Sequence, residues 1–81
     1  MSEFAKDWQV LLYTDEDGNW IAEVPSLPGC GSDGATREEA KERVKEAIQS
    51  YIEALLEDEL PIPDDFQNLE VVTVTIELTP Q

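Results

Sequence analysis

The chain has 81 residues, with 19 acids against five bases and no histidine, for a formal net charge of −14. That length suits one small domain with a thin core, and that charge disfavours nucleic acid and anionic membranes as partners while favouring a basic protein. One cysteine excludes an internal disulfide, no run of about 20 apolar residues exists to span a bilayer, and the N-terminal MSEFAKDW has no signal-peptide pattern, so a reducing cytoplasmic location is expected.

Residues 8–14, WQVLLYT, read as a strand of aromatic and branched residues, and residues 20–24, WIAEV, as its partner. Asp15-Glu-Asp-Gly-Asn19 joins them. A two-residue turn at Asp17-Gly18 would set Leu12 opposite Glu23. A three-residue loop over 16–18, with Gly18 in the left-handed region, sets Leu12 opposite Ala22 and Val10 opposite Val24. The second register is preferred because it gathers Trp8, Val10, Leu12, Trp20, Ala22 and Val24 on one face. Leu11, Tyr13, Ile21 and Glu23 fall on the other.

The next stretch, VPSLPGCGSDGAT, holds three of the four glycines, two of the five prolines and the single cysteine. Pro25 ends the second strand, Pro28-Gly29 signals a turn, and residues 30–34 could form a short third strand. Thr36-Arg-Glu-Glu39 is a capping box: the hydroxyl accepts from the Glu39 amide, and the carboxylate reaches back to Thr36. A helix should then run to about Asp58. Ala40, Val44, Ala47, Ile48, Tyr51, Ile52, Leu55 and Leu56 form its apolar stripe, and Glu39 with Arg43 makes a favourable i,i+4 pair. Pro61 and Pro63 make LPIPDD a linker. Residues 70–78, EVVTVTIEL, alternate as a strand with Val72, Val74, Ile76 and Leu78 inward.

The expected fold is α+β in the order β-β-β-α-β: a three- to four-stranded mixed sheet with one long helix on one face. The last strand would lie parallel beside the first through a right-handed crossover. One helix covers one face, so Leu11, Tyr13, Ile21 and Val71 on the other suggest association, as does a nine-residue edge strand.

Candidate chemistry is sparse. The acidic turn resembles half a calcium loop, but its bidentate acid would fall at Ser26, which favours a plain hairpin turn. Cys30 has no histidine or second thiol to activate it or share a metal, so it reads as a small buried residue. The first strand has no acid between Gln9 and Tyr13, and Asp15, Asp17, Asp64 and Asp65 lie on loops, which is unfavourable for two-metal or glycosidic chemistry. Gly29, Gly31 and Gly34 match no phosphate fingerprint, and acids crowd them. No enzyme activity, metal or cofactor is expected. The −14 charge alone reads as solubility, but its distribution is uneven. Four of the five bases lie between Arg37 and Lys45, while acids run nearly unopposed from Glu57 to Asp65.

Taken together, the residues resemble the HicB-like antitoxin family. The match runs from the alternating first strand through Gly18, Trp20 and Glu23-Val24-Pro25-x-Leu27-Pro28-Gly29-Cys30. It continues at Gly34, Thr36 and Glu39-Ala40, then at Glu46-Ala47-Ile48 and Pro61-Ile62-Pro63, covering residues 7–78. The resemblance implies a partial ribonuclease-H-like fold without the nuclease carboxylates. It implies an antitoxin that binds and masks a small basic mRNA-cleaving toxin of the HicA kind. Gly18, Pro25, Leu27, Pro28, Gly29, Cys30, Gly34, Thr36, Glu39 and Ala40 are then mainly structural. Leu11, Tyr13 and Ile21, with the acids Glu57, Asp58, Glu59, Asp64 and Asp65, are the candidate partner-binding residues. Many relatives carry a C-terminal DNA-binding domain; residues 1–81 are expected to be a single HicB-like domain without one, so direct nucleic-acid binding is not expected. The alternative is a stand-alone dimer or tetramer with another protein- or ligand-binding role.

Overall fold

The structure, a computed structural model, describes residues 6–80. Three short strands, β1 (Leu11–Thr14), β2 (Trp20–Glu23) and β3 (Gly31–Gly34), precede one long helix, α1 (Arg37–Glu57). The fold is α+β. The sheet has the order β1-β2-β3 and is antiparallel throughout.

The β1–β2 register follows from the turn. Leu12 stands opposite Ala22 and Tyr13 opposite Ile21, the arrangement a three-residue loop requires. The Asp15 amide donates to the Asn19 carbonyl and the Gly18 amide to the Asp15 carbonyl. The Asp15 carboxylate accepts from the amides of Asp17 and Asn19, both at 2.9 Å, and Gly18 takes φ +82°. The Asp15 carboxylate is thus engaged in shaping the turn.

The strand expected over residues 8–14 pairs only from Leu11. Continuing the ladder would set Gln9 opposite Pro25, which has no N–H to donate. The Gln9 amide donates instead to the Asp65 carboxylate at 2.8 Å. Trp8 and Val10 still pack against the core, with Leu12 and Trp20. The core itself is Ala22, Val24, Leu27, Cys30, Ala40 and Val44, so the predicted inner face is the inner face.

Helix α1 starts at Thr36, an extended N-cap whose hydroxyl accepts from the Glu39 amide at 3.1 Å. Half of the expected capping box forms. The Glu39 carboxylate does not turn back to Thr36 but goes forward to the Arg43 guanidinium at 2.7 Å. The ion pair offers it a charged, bidentate-capable donor in place of one neutral amide. The helix lies over β3 and β2. Its approach is close because position 34 is glycine: a Cβ there would stand 2.6 Å from the Ala40 amide nitrogen.

At about 1.5 Å per residue the 21-residue helix spans about 31 Å, whereas a four-residue strand spans about 13 Å. The helix therefore overhangs the sheet. Ala40 and Val44 are buried, Ala47, Ile48, Tyr51 and Ile52 are partly buried, and Leu56 is exposed. A Schellman motif ends it. The Leu60 amide donates to the Leu55 carbonyl and the Glu59 amide to the Leu56 carbonyl, with Glu59 in the left-handed region at φ +54°.

The expected fourth strand is the main correction. Residues 70–78 join no ladder among the described residues, so the sheet is antiparallel rather than mixed, and Val72, Val74, Ile76 and Leu78 face solvent instead of the core. The preceding segment is tied to Gln9 and Ser26 by the contacts described next. The molecule measures 59 × 28 × 21 Å.

Candidate functional site

The loop over residues 24–30 is two fused turns. The Leu27 amide donates to the Val24 carbonyl at 3.0 Å, and the Cys30 amide to the Leu27 carbonyl at 2.9 Å. The Val24 amide then donates to the Cys30 carbonyl at 3.1 Å and closes the loop. The second turn is Leu27-Pro28-Gly29-Cys30. Proline presets its first central position, and Gly29 takes φ +81° at the second, as a type II turn requires. This geometry drives Leu27 into the core, where it is fully buried. Pro25, Pro28 and Gly29 border a shallow depression of about 490 Å³ on the outside of the loop.

Cys30 lies within this frame, 7% exposed. Burial raises its thiol pKa, so the thiolate needed for nucleophilic or redox chemistry is disfavoured. Pro25, Leu27, Pro28, Gly29, Cys30, Gly34, Thr36 and Ala40 all have identifiable backbone or packing work.

On the outer sheet face, Tyr13 stands opposite Ile21 and Leu11 opposite Glu23. Leu11 and Ile21 are half-buried and Tyr13 is exposed. The Tyr13 hydroxyl donates to the Glu23 carboxylate at 2.6 Å across the two strands. That bond stabilises the neutral phenol and raises the Tyr13 pKa. These three apolar side chains therefore form one small patch with an orienting carboxylate beside them.

The acidic segment divides into two parts. Glu57, Asp58 and Glu59 are exposed at the helix C-terminus, where the last turn has no basic residue. Negative charge at the negative end of a helix dipole is unfavourable and unrelieved here. Asp64 and Asp65 belong to the linker. Asp64 lies 3.7 Å from the Lys6 ammonium, which also donates to the Pro63 carbonyl and sits 4.6 Å over the Trp8 ring.

Asp65 is a clamp. One carboxylate oxygen accepts from the Gln9 amide and the other from the Ser26 hydroxyl at 2.6 Å. The Ser26 oxygen in turn accepts from the Phe66 amide at 3.1 Å, and the Gln9 side-chain amide donates to the Phe66 carbonyl at 2.6 Å. These donors hold the Asp65 pKa below its ordinary value, the Ser26 hydroxyl contributing most. Sequence reasoning missed Ser26, Gln9 and Lys6, because hydrogen bonds between positions 39 to 57 residues apart leave no local pattern.

No helix among the described residues is long and apolar enough to cross a membrane. No solved structure matches the chain significantly. Similar proteins are UPF0150 proteins. That of Thermoplasma acidophilum is 45% identical over 83% of this chain and 94% of its own length. That of Archaeoglobus fulgidus is 48% identical over 54% of this chain and 64% of its own length. One from Synechocystis is 42% identical over 73% of this chain and 75% of its own length. The family described as HicB-like antitoxin of bacterial toxin–antitoxin systems matches residues 8–79. With the Pro25–Cys30 loop, the Gly34 close approach and the Thr36 cap all in place, this chain belongs to the HicB-like antitoxin family.

Proposed function

We propose that this chain is a non-catalytic, cytoplasmic protein-binding module that docks on and neutralises a small basic mRNA-cleaving toxin of the HicA kind. The observation that carries the reading is the family match over residues 8–79. The molecule's physics supports it. A net charge of −14 steers a cationic partner. Glu57, Asp58 and Glu59 crowd a helix end that lacks its own cations, so a partner's lysines or arginines would relieve a repulsion already present. Leu11, Tyr13 and Ile21 supply an apolar anchor, with tyrosine suited to a half-buried contact. Asp64 and Asp65 are assigned a supporting role, since Asp65 is already engaged within the chain. On this reading the domain keeps part of a ribonuclease-H-like fold without its chemistry, needs no cofactor, touches no nucleic acid directly, and forms a dimer or tetramer.

The test is co-expression with a small basic toxin of the HicA kind taken from the same genome. Restored growth and a co-purifying complex are expected, with an association rate that falls as salt rises. Reversing Glu57, Asp58 and Glu59 to lysine should slow association about tenfold or more. Absence of any complex with a small basic protein would overturn the reading.

A further inference from the structure

The overhang of α1 leaves a groove. It lies between Trp8 and Val10, leading into β1, and the helix face carrying Val44, Ile48, Ile52 and Leu56, and its volume is about 1640 Å³. This is the position a fourth strand beside β1 would occupy. Among the described residues β1 is a sheet edge, and the outer row of backbone groups of an edge strand can pair with an added strand.

The same molecule carries a strand without a sheet. Residues 70–78 alternate, and Val72, Val74, Ile76 and Leu78 are 68%, 71%, 71% and 87% exposed. Strand and groove match in length. At about 3.3 Å per residue, Val72 to Leu78 spans about 20 Å. At about 1.5 Å per residue, Val44 to Leu56 spans about 18 Å. A strand laid there would set alternate side chains against the helix and offer its backbone to β1.

The chain's own tail does not fill this groove, although the linker residue Ile62 borders it. Asp65 and Phe66 are held at Gln9 and at Ser26, which carries the backbone past β1 to the loop following β2. In this structure the tail beyond them leaves the groove open, with Val72, Val74, Ile76 and Leu78 all exposed. Charge does not forbid a second copy. The groove lining includes Lys6, Lys41 and Lys45 against Asp7, Glu42 and Glu53, so it is neutral in a chain of net charge −14. The incoming segment carries only Glu70 and Glu77. Two like-charged copies would meet where their repulsion is least.

We propose that residues 70–78 of one copy seat in the groove of a second copy, adding a fourth strand to the β1 edge, and that reciprocal exchange closes a two-fold dimer. The proposal gives structural form to the self-association in the functional reading and does not depend on the toxin.

Two measurements on the full chain test it. Sedimentation at about 100 µM, where mass action favours association, should give twice the 9.1 kDa mass of one chain. Val74→Asp should weaken the dimer about a hundredfold or more by burying a charge, with helix content by circular dichroism unchanged. Independently of any variant, an equal mixture of isotope-labelled and unlabelled wild-type chains should show nuclear Overhauser contacts between copies from the Val74 methyls to Ile48 and Ile52. A wild-type monomer, a dimer that survives Val74→Asp, or contacts confined within one chain would each overturn the proposal. None of these readouts involves the toxin, so loss of toxin binding with the dimer intact would count against the functional reading alone.

Discussion

The stretch from β2 to the first turns of α1 and the stretch after α1 have comparable shares of apolar residues, yet they behave oppositely. In the first, Ala22, Val24, Leu27, Cys30, Ala40 and Val44 are all buried. In the second, Ile62, Phe66, Val71, Val72, Val74, Ile76 and Leu78 are all exposed. The difference does not lie in hydrophobicity. The first stretch is held by contacts short in sequence: the fused turns of residues 24–30, the Thr36 cap and the close approach at Gly34. The second hangs from long-range polar contacts: Asp65 with Gln9 and Ser26, and Lys6 with Pro63 and Asp64. Burial depends on whether local geometry returns an apolar side chain to a surface, and after Pro61 nothing local does so.

The comparison can be broken most forcefully at Leu27. Leu27→Ala should cost about 3–4 kcal/mol of stability, since the side chain is fully buried under rigid turns. Val72→Ala in the tail should cost less than about 0.5 kcal/mol at concentrations too low for association. Urea titrations of both variants check this, and equal losses would refute the contrast. Gly34→Ala comes next. Its Cβ would meet backbone rather than a flexible side chain, so the helix must move, at about 2–3 kcal/mol. A shifted urea midpoint and altered amide shifts in the first helical turn would report it.

The clamp should be weaker than either. Asp65→Asn should cost about 1–2 kcal/mol by replacing charge-assisted hydrogen bonds with neutral ones. Because the folded-state pKa of Asp65 is depressed, its contribution is fully present above the unfolded carboxylate pKa of about 4. It is lost as pH falls through the lower folded value. The protection factors of the Gln9 and Phe66 amides, corrected for intrinsic exchange, should therefore fall in acid, and that fall should vanish in Asp65→Asn. The smallest effect should be a gain. Glu59→Gly removes an L-residue from the left-handed region and an acid from the helix C-terminus. It should raise the urea midpoint by the equivalent of about 1 kcal/mol.

Much of the scaffold was legible in the chain. Gly18 allowed two turn lengths, and the cleaner apolar face favoured the three-residue loop and so the pairing of Leu12 with Ala22 that forms. Pro28-Gly29 required the turn, and Thr36 with the apolar stripe placed the helix within a residue of each end. The capping box was half right, because Glu39 had two partners available and the sequence could not rank them. The outer-face candidates Leu11, Tyr13 and Ile21 were placed together by simple alternation. The role of Asp65 was not legible, since its partners Gln9 and Ser26 are 56 and 39 residues away. The terminal strand failed for a different reason. Its alternation states that one face seeks burial and leaves open which surface provides it.

By itself, then, the sequence determined the preferred register of the hairpin, the turn at Pro28-Gly29, the helix and its cap, and the acidity that suits a basic partner. All of these rest on interactions within a few residues or on composition. Tertiary structure alone decided that the helix overhangs its short sheet, that Asp65 carries the linker past β1, and that residues 70–78 leave their own core. The physical reason is range: partners 39 to 57 residues apart meet only in the folded chain, and alternation in residues 70–78 states a face to be buried without naming the surface that buries it.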